Sequence, residues 1–402
     1  MPSFDANDYV YLDWAATAPL CEEAARAMAP YQVPGRANLA VGGNANSLHA
    51  PGRTAFAALE DARRSLARDL GASRPDEIVL MSGATEADDA ALLGIARAAA
   101  AERRRRRGGD FVPHVVTTAV EHDAVLAPAR RLEAEGFRVT RLAPNRQGFV
   151  EPAALEAVLD EDAVLVSVQA ANSEVGSIQP IAALARAAHG VGALFHTDAV
   201  QALGKAPVDV GAWGVDAASF SAHKVGGPKG VGALYLRART PFEPQAIGGG
   251  QESGRRSGTQ NVAGAAGFAA AVHAACGLQE REAARLSALR DRLYAGLAAH
   301  DAVEATVDVA PGSVEFLPNI VHVLVRGLES ETLILRFDLR GFGVSGGSAC
   351  SSHSLAPSHV LHALGIDDDR AHGALRISMG RGTAEEDVDA FLGAVAGVLD
   401  WS

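Results

Sequence analysis

Residues 193–224 read ALFHTDAVQALGKAPVDVGAWGVDAASFSAHK, and this stretch decides the fold. Two short apolar, β-prone runs, 193–197 and 217–221, each end in residues that carry chemistry. Asp198 follows the first; His223 and Lys224 follow the second, with the flexible Gly226-Gly227-Pro228 beyond. Open α/β sheets bind ligands outside the carboxyl ends of their strands. Asp198 is thus a candidate ligand group, although a satisfied structural aspartate fits the same position. Lys224 is a candidate amine nucleophile for an aldehyde, against the alternative of an ordinary surface lysine.

Working outward, the same alternation continues. Further strands are expected at 78–81, 114–117, 164–169 and 232–236. Helices are expected at 53–70, 87–101, 152–159 and 181–188. In the first of these, Phe56, Leu59, Leu66 and Leu70 fall near one face and Gly71 is a natural stop. Strands separated by helices predict a mainly parallel sheet covered on both faces. Residues 247–259, IGGGQESGRRSGT, read as an irregular functional loop. A long helix then runs from about 262 to 300. A strand at 320–325, a helix at 332–339, a Gly/Ser-rich loop at 341–354, a strand at 374–379 and a helix at 384–399 follow, which reads as a second, smaller α/β unit.

The 402 residues carry 36 Lys+Arg against 48 Asp+Glu, a formal charge of −12 that argues against a nucleic-acid binder. The run Arg103–Arg107 reads as a solvated helix end, where cations suit the C-terminal dipole. Cys21, Cys276 and Cys350 lie far apart with no CxxC pair, so no metal site or disulfide framework is expected. No basic start followed by an apolar stretch opens the chain, and no uninterrupted apolar span of about 20 residues is read. The expectation is a cytoplasmic protein that works away from membranes.

Two further stretches matter. Ser82-Gly83-Ala84-Thr85-Glu86 joins a strand to a helix. Its small residues and free N–H groups suit an anion, and a capping box explains it about as well. Gly346-Gly347-Ser348-Ala349-Cys350-Ser351-Ser352 sets a thiol in glycine and serine rather than in the apolar company of a structural cysteine. A reactive thiol is the better reading; His353 beside it does not make a metal site.

Taken in order, Tyr11-Leu12-Asp13, Ala16-Thr17-Ala18-Pro19, residues 44–49, Ser82-Gly83-Ala84-Thr85-Glu86, Glu121-His122, Asp198-Ala199-Val200-Gln201, Ser221-Ala222-His223-Lys224, Arg256-Ser257-Gly258-Thr259, Gly347-Ser348-Ala349-Cys350 and Arg376-Ile377-Ser378 resemble the cysteine desulfurases. These are pyridoxal 5'-phosphate enzymes of the class V aminotransferase group, and the cysteine-bearing loop resembles their group I branch. The resemblance covers nearly the whole chain. It implies fold-type I: a large cofactor-binding domain at 15–260 with a mainly parallel seven-stranded sheet. A small domain would be formed by 1–14 and 261–402 and carry the 341–354 loop.

It also implies roles. Lys224 would hold the cofactor covalently and shuttle a proton, and Asp198 would pair with the pyridine nitrogen. His122 would stack on the ring and take part in acid–base steps, and Gln201 would reach the ring oxygen. Ala84, Thr85, Ser221 and His223 would hold the phosphate. Thr259 would reach the neighbouring subunit's phosphate, which implies a homodimer. Arg376, with Asn44, would clamp the substrate carboxylate. Cys350 would attack the sulfur of L-cysteine, giving alanine and a persulfide that passes to a sulfur-acceptor protein for iron–sulfur cluster or other sulfur-cofactor biosynthesis.

This chain departs from the family pattern at three places. Ser173 stands where an asparagine usually contacts the ring oxygen, and Asn44-Ala45 replaces Asn-Pro. The sequence ends at Trp401-Ser402, without the long tail by which the housekeeping branch docks its scaffold, which leaves the acceptor open. The alternatives are a selenocysteine lyase or another class V enzyme, and a degenerate scaffold disabled at Ser173.

Overall fold

The computed structural model describes residues 8–107, 111–347 and 357–400. After a two-residue strand β1 (Val10–Tyr11), seven strands build the main sheet. They are β2 (Ile78–Met81), β3 (His114–Thr118), β4 (Arg138–Leu142), β5 (Ala163–Ser167), β6 (Leu194–Asp198), β7 (Ala217–Ser221) and β8 (Gly232–Leu236). Their spatial order is β2-β8-β7-β6-β5-β3-β4. From β7 to β4 all neighbours run parallel, whereas β8 is antiparallel to both β7 and β2. The sheet is therefore mainly parallel, as expected. Strands β3, β5, β7 and β8 are buried at every residue, because helices cover both faces.

Three features differ from the sequence expectation. Strand β4 is unmarked in the sequence because it is an edge: Arg138 and Arg141 face solvent and only Leu142 is buried, the charged pattern that protects an exposed strand edge. Helix Asp123–Ala134 also escapes notice, since Pro128 lies inside it. In helix Ala50–Asp69 the buried stripe is Ala55, Leu59, Ala62 and Leu66, and Phe56 is 54% exposed instead of sharing that face.

Helix Val262–Leu297 links two hydrophobic clusters. Val262, Phe268 and Val272 join the core around the main sheet. Leu286, Leu289, Leu293 and Leu297 join a second core that holds Leu12, Phe337, Phe342 and Phe391. By length and composition this helix is apolar enough to cross a membrane, contrary to the expectation of no such span. Its apolar surface is used here to fill these two cores.

The second core rests on β10 (Ile320–Val325), which pairs antiparallel with β9 (Val303–Ala305) and with β12 (Ala374–Ser378). Strand β1 pairs in parallel with β11 (Phe342–Gly343), so the start of the described chain packs with its C-terminal part.

The run of cations ends helix Ala96–Arg107. Arg103 donates to the carbonyls of Glu161, Ala163 and Gly192 at 2.7–2.8 Å, which gives at least this arginine a structural use.

The irregular 247–259 loop is pinned by a buried charge pair. Glu252 accepts from Arg63 at 2.6 Å and 3.0 Å and from the Leu80 amide at 2.9 Å. Backbone φ of +51° at Glu252 and +58° at Ser253 shows how sharply the chain turns to deliver this carboxylate. Truncating one partner of a buried pair leaves the other uncompensated, at about 3–5 kcal/mol. Glu252→Ala is therefore expected to lower unfolding free energy by about that amount in urea titration; an unchanged midpoint would refute the anchoring role.

Candidate active site

One cavity of about 470 Å³ opens at the carboxyl ends of β6 and β7. Ala84, Thr85, His122, Ser173, Asp198, Gln201, Ser221, His223, Lys224 and Arg376 all line it. These residues come from six separate parts of the sequence and converge there. Asn44 and Thr259 do not line it; both are exposed. Asn44 instead accepts from the Asn46 amide at 2.9 Å. Cys350 lies outside the described residues, as do 348–354 of the expected loop.

Lys224 follows β7 in a short 3-10 turn, Ala222–Lys224. Its Nζ donates to the carbonyls of Ala15 at 2.5 Å and Ala16 at 2.9 Å. Behind it Lys205 Nζ donates to the Lys224 carbonyl at 3.2 Å. Burial, with Lys224 close by, pushes the Lys205 ammonium down to about 7. His223 Nδ1 meets Thr17 Oγ1 at 3.1 Å, and burial beside Lys224 pushes its imidazole down to about 4. The ring is thus neutral at physiological pH.

Asp198 ends β6 and accepts from the Val200 amide at 2.9 Å. Burial raises its pKa, partly offset by that amide and by His122 and Lys224. Asp88 is fully buried, neither of its oxygens has a hydrogen-bond partner, and His196 Nε2 stands 3.6 Å away. Burial, reinforced by Asp198, raises the Asp88 pKa well above its ordinary value. His122 caps helix Asp123–Ala134, its Nδ1 accepting from the Ala124 amide at 3.1 Å, which leaves the proton of a neutral ring on Nε2.

Arg376 is 2% exposed and lies on β12. Its Nη2 meets Asp13 at 2.8 Å and its Nη1 donates to the Ser173 carbonyl at 2.9 Å, while buried Nε has no partner. A guanidinium so fixed presents a planar fork suited to a carboxylate.

These groups fit pyridoxal phosphate. The helix that opens at Ala84 starts after Gly83, which has no side chain to cap it, so its first N–H groups are left for an anion, with Thr85, Ser221 and His223 beside them. Glu86 accepts from the Ser82 amide at 2.6 Å, one residue before the Gly83 cap, so the expected capping box with Ser82 or Thr85 as its cap does not form. A Cβ at Gly232 would stand 2.7 Å from Gly83 Cα, so glycine keeps this turn close to β8. At the other end, Asp198 is a half-buried carboxylate on the cavity wall that a ring cation would compensate. Gln201 Nε2 donates to Ala15 O at 3.0 Å, and its buried Oε1 has no partner. Sequence reasoning missed Asp88, Gln169 and Lys205 and read Glu121 only as part of a motif; the significance of all four comes from burial that no local pattern displays.

Three comparisons place the chain among known proteins. The family model described as "Aminotransferase class-V" matches residues 10–391. A "Cysteine desulfurase IscS" of Dictyoglomus turgidum is 41% identical over 394 residues, 97% of this chain and 94% of the relative. Among solved structures, a "NIFS-LIKE PROTEIN" superposes with a TM-score of 0.86 at 36% identity, covering 97% of this chain and 99% of the other. A structure titled "SspA in complex with cysteine" gives a TM-score of 0.75 at 29% identity, with 92% and 98% covered.

Glu121, next to His122, is fully buried and accepts from Thr118 Oγ1 at 2.6 Å and from the Gln169 amide at 3.0 Å. Burial lifts it from 4.5 to about 8 against the pull of those donors. Between these values the folded protein holds a proton that the unfolded chain has released, so stability falls as pH rises from about 4.5 to about 8. The slope from this one group reaches up to about 1.4 kcal/mol per pH unit. Glu121→Gln is expected to show a shallower fall in urea midpoint across that window; an identical slope would contradict the buried acid.

Proposed function

The chain belongs to the class-V aminotransferase family and is a cysteine desulfurase, and we propose that it works with pyridoxal phosphate held by Lys224 and a persulfide carried on Cys350. The observation that supports this reading best is the convergence of Lys224, Asp198, His122, Gln201 and Arg376 on one cavity. Bound there, the cofactor supplies an electron sink for charge developing at the substrate Cα.

The chain's own groups do the rest. Asp198 holds a positive charge at the ring nitrogen. His122 presents Nε2–H toward the acid–base steps. Ala84, Thr85, Ser221 and His223 hold the phosphate, and Gln201 the ring oxygen. At this last contact Ser173 lacks the reach of the usual asparagine, a loss of about 0.5–1.5 kcal/mol that leaves the reaction class intact. Arg376, with help from Asn44, orients the substrate through its carboxylate. Lys224 Nζ takes the Cα proton and later returns one. Cys350 attacks the substrate sulfur as a thiolate: the Sγ–Sγ bond forms, the substrate Cβ–Sγ bond breaks, and the carbon fragment leaves as alanine after protonation. The persulfide sulfur then passes to an acceptor protein for iron–sulfur cluster or related biosynthesis.

We also propose a cytoplasmic homodimer, with 15–260 as the cofactor domain and 1–14 with 261–402 as the smaller domain. Thr259 would serve the neighbouring protomer's phosphate. Exposed Leu48 at 91% and Ile247 at 90%, the latter in the Thr259 loop, support an interface there.

Two variants test the roles. Cys350→Ala is expected to keep its yellow cofactor and lose persulfide formation; sulfide release from cysteine at the wild-type rate would overturn the nucleophile. Lys224→Ala is expected to lose turnover, and full activity would overturn the amine's role.

A further inference from the structure

Glu174 is a buried carboxylate, 1% exposed, that the reaction as described does not use. Its backbone is fixed by a tight turn: Asn172 Oδ1 accepts from the amides of Glu174 at 2.8 Å and Val175 at 2.9 Å. The same turn puts Ser173 on the cavity wall and its carbonyl on Arg376.

The Glu174 side chain points away from this turn to two places far along the sequence. Ser358 Oγ donates to Oε2 at 2.6 Å. At Gly347, φ is +130° and a Cβ would stand 3.0 Å from the same Oε2, so a glycine is needed both for the backbone and for the approach. Gly347 and Ser358 bracket the segment that carries Cys350.

Each bracket is tied further. Ser345 Oγ bonds the Gly347 carbonyl at 3.2 Å, and Ser345 exchanges backbone bonds with Arg376 at 3.1 Å and 2.7 Å. Ser358 caps helix His359–Ala363, and His359 Nε2 lies 2.9 Å from the Glu121 carbonyl, next to His122. Both attachment points are thereby connected to residues beside the cavity. Cys350 is three residues from Gly347, so even a fully extended chain keeps its Cα within about 11 Å of that glycine. The position of Gly347 therefore sets where the thiol can act.

Resting on the reading of Cys350 as the acceptor of sulfur, we propose that Glu174 is a positioning residue for that thiol: one carboxylate bonds the Ser358 attachment point of its segment and lies close against the Gly347 one, beside the cavity. A gross folding defect is not required for its loss to matter, because misplacement of a reacting group by about 1 Å can cost about 100-fold in rate.

The test uses holoenzyme in single-turnover reactions with cysteine, comparing Glu174→Ala, Glu174→Gln, Ser358→Ala and Cys350→Ala. Three quantities are read: cofactor content by colour, the cysteine concentration that half-saturates the colour change, and the rate of alanine formation. Glu174→Ala is expected to slow alanine formation about tenfold or more with the first two readouts unchanged. Ser358→Ala should slow it less, and Glu174→Ala combined with Ser358→Ala should slow it no more than Glu174→Ala alone. Glu174→Gln, which keeps an oxygen for Ser358, should recover most of the rate. Wild-type alanine formation in Glu174→Ala and Ser358→Ala, with Cys350→Ala inactive, would overturn the positioning role alone. Loss of rate only in step with loss of cofactor would overturn it too. Wild-type alanine formation in Cys350→Ala would instead overturn the nucleophile on which the proposal rests.

Discussion

The site depends on a single strip of backbone, residues 10–18, that is bound on both sides. On one side β1 pairs with β11, Leu12 N donates to Gly343 O, Ala15 N to Ser378 Oγ, and Asp13 pairs with Arg376. On the other, the Ala15 and Ala16 carbonyls receive Lys224 Nζ, the Ala15 carbonyl also receives Gln201, Thr17 meets His223, and Ala18 N donates to His223 O. This strip links the amine at the end of β7 to the guanidinium on β12. Without it the two groups would sit on separate cores with no fixed separation, and a reaction that needs both would lose its geometry.

Charge burial is the second constraint. Asp88, Glu121, Glu174 and Asp198 are acids whose pKa values burial raises, and Lys205 is an amine that burial lowers. Isolated charges in such a setting are costly, and strongly perturbed groups gathered around a cleft mark functional sites. The fold tolerates them because rigid strand ends and a long helix shared by two cores hold them in place. An incoming cofactor with a cationic ring and an anionic phosphate would offset part of that cost.

The central strands were legible because burial on both faces writes itself as continuous apolar sequence, as in β5 and β8. Strand β4 was hidden by the arginines that make it a safe edge, and Phe56 was misplaced because aromatic character does not fix which side of a helix faces the core. Asp198, His223 and Lys224 were legible as polar residues directly after apolar runs. Lys205 and Glu174 were not, since only tertiary packing brings Lys205 to the Lys224 carbonyl and Glu174 to Ser358. Motif resemblance supplied Asn44 and Thr259, which the cavity does not include, and Cys350, which lies outside the described residues.

The most direct measurement of the central claim is mass spectrometry of the holoenzyme after one exposure to L-cysteine, with alanine quantified in the same sample. The account predicts one added sulfur atom on the Cys350 peptide and an equal amount of alanine. Alanine without that sulfur would mean that sulfur leaves directly, and would contradict the persulfide mechanism.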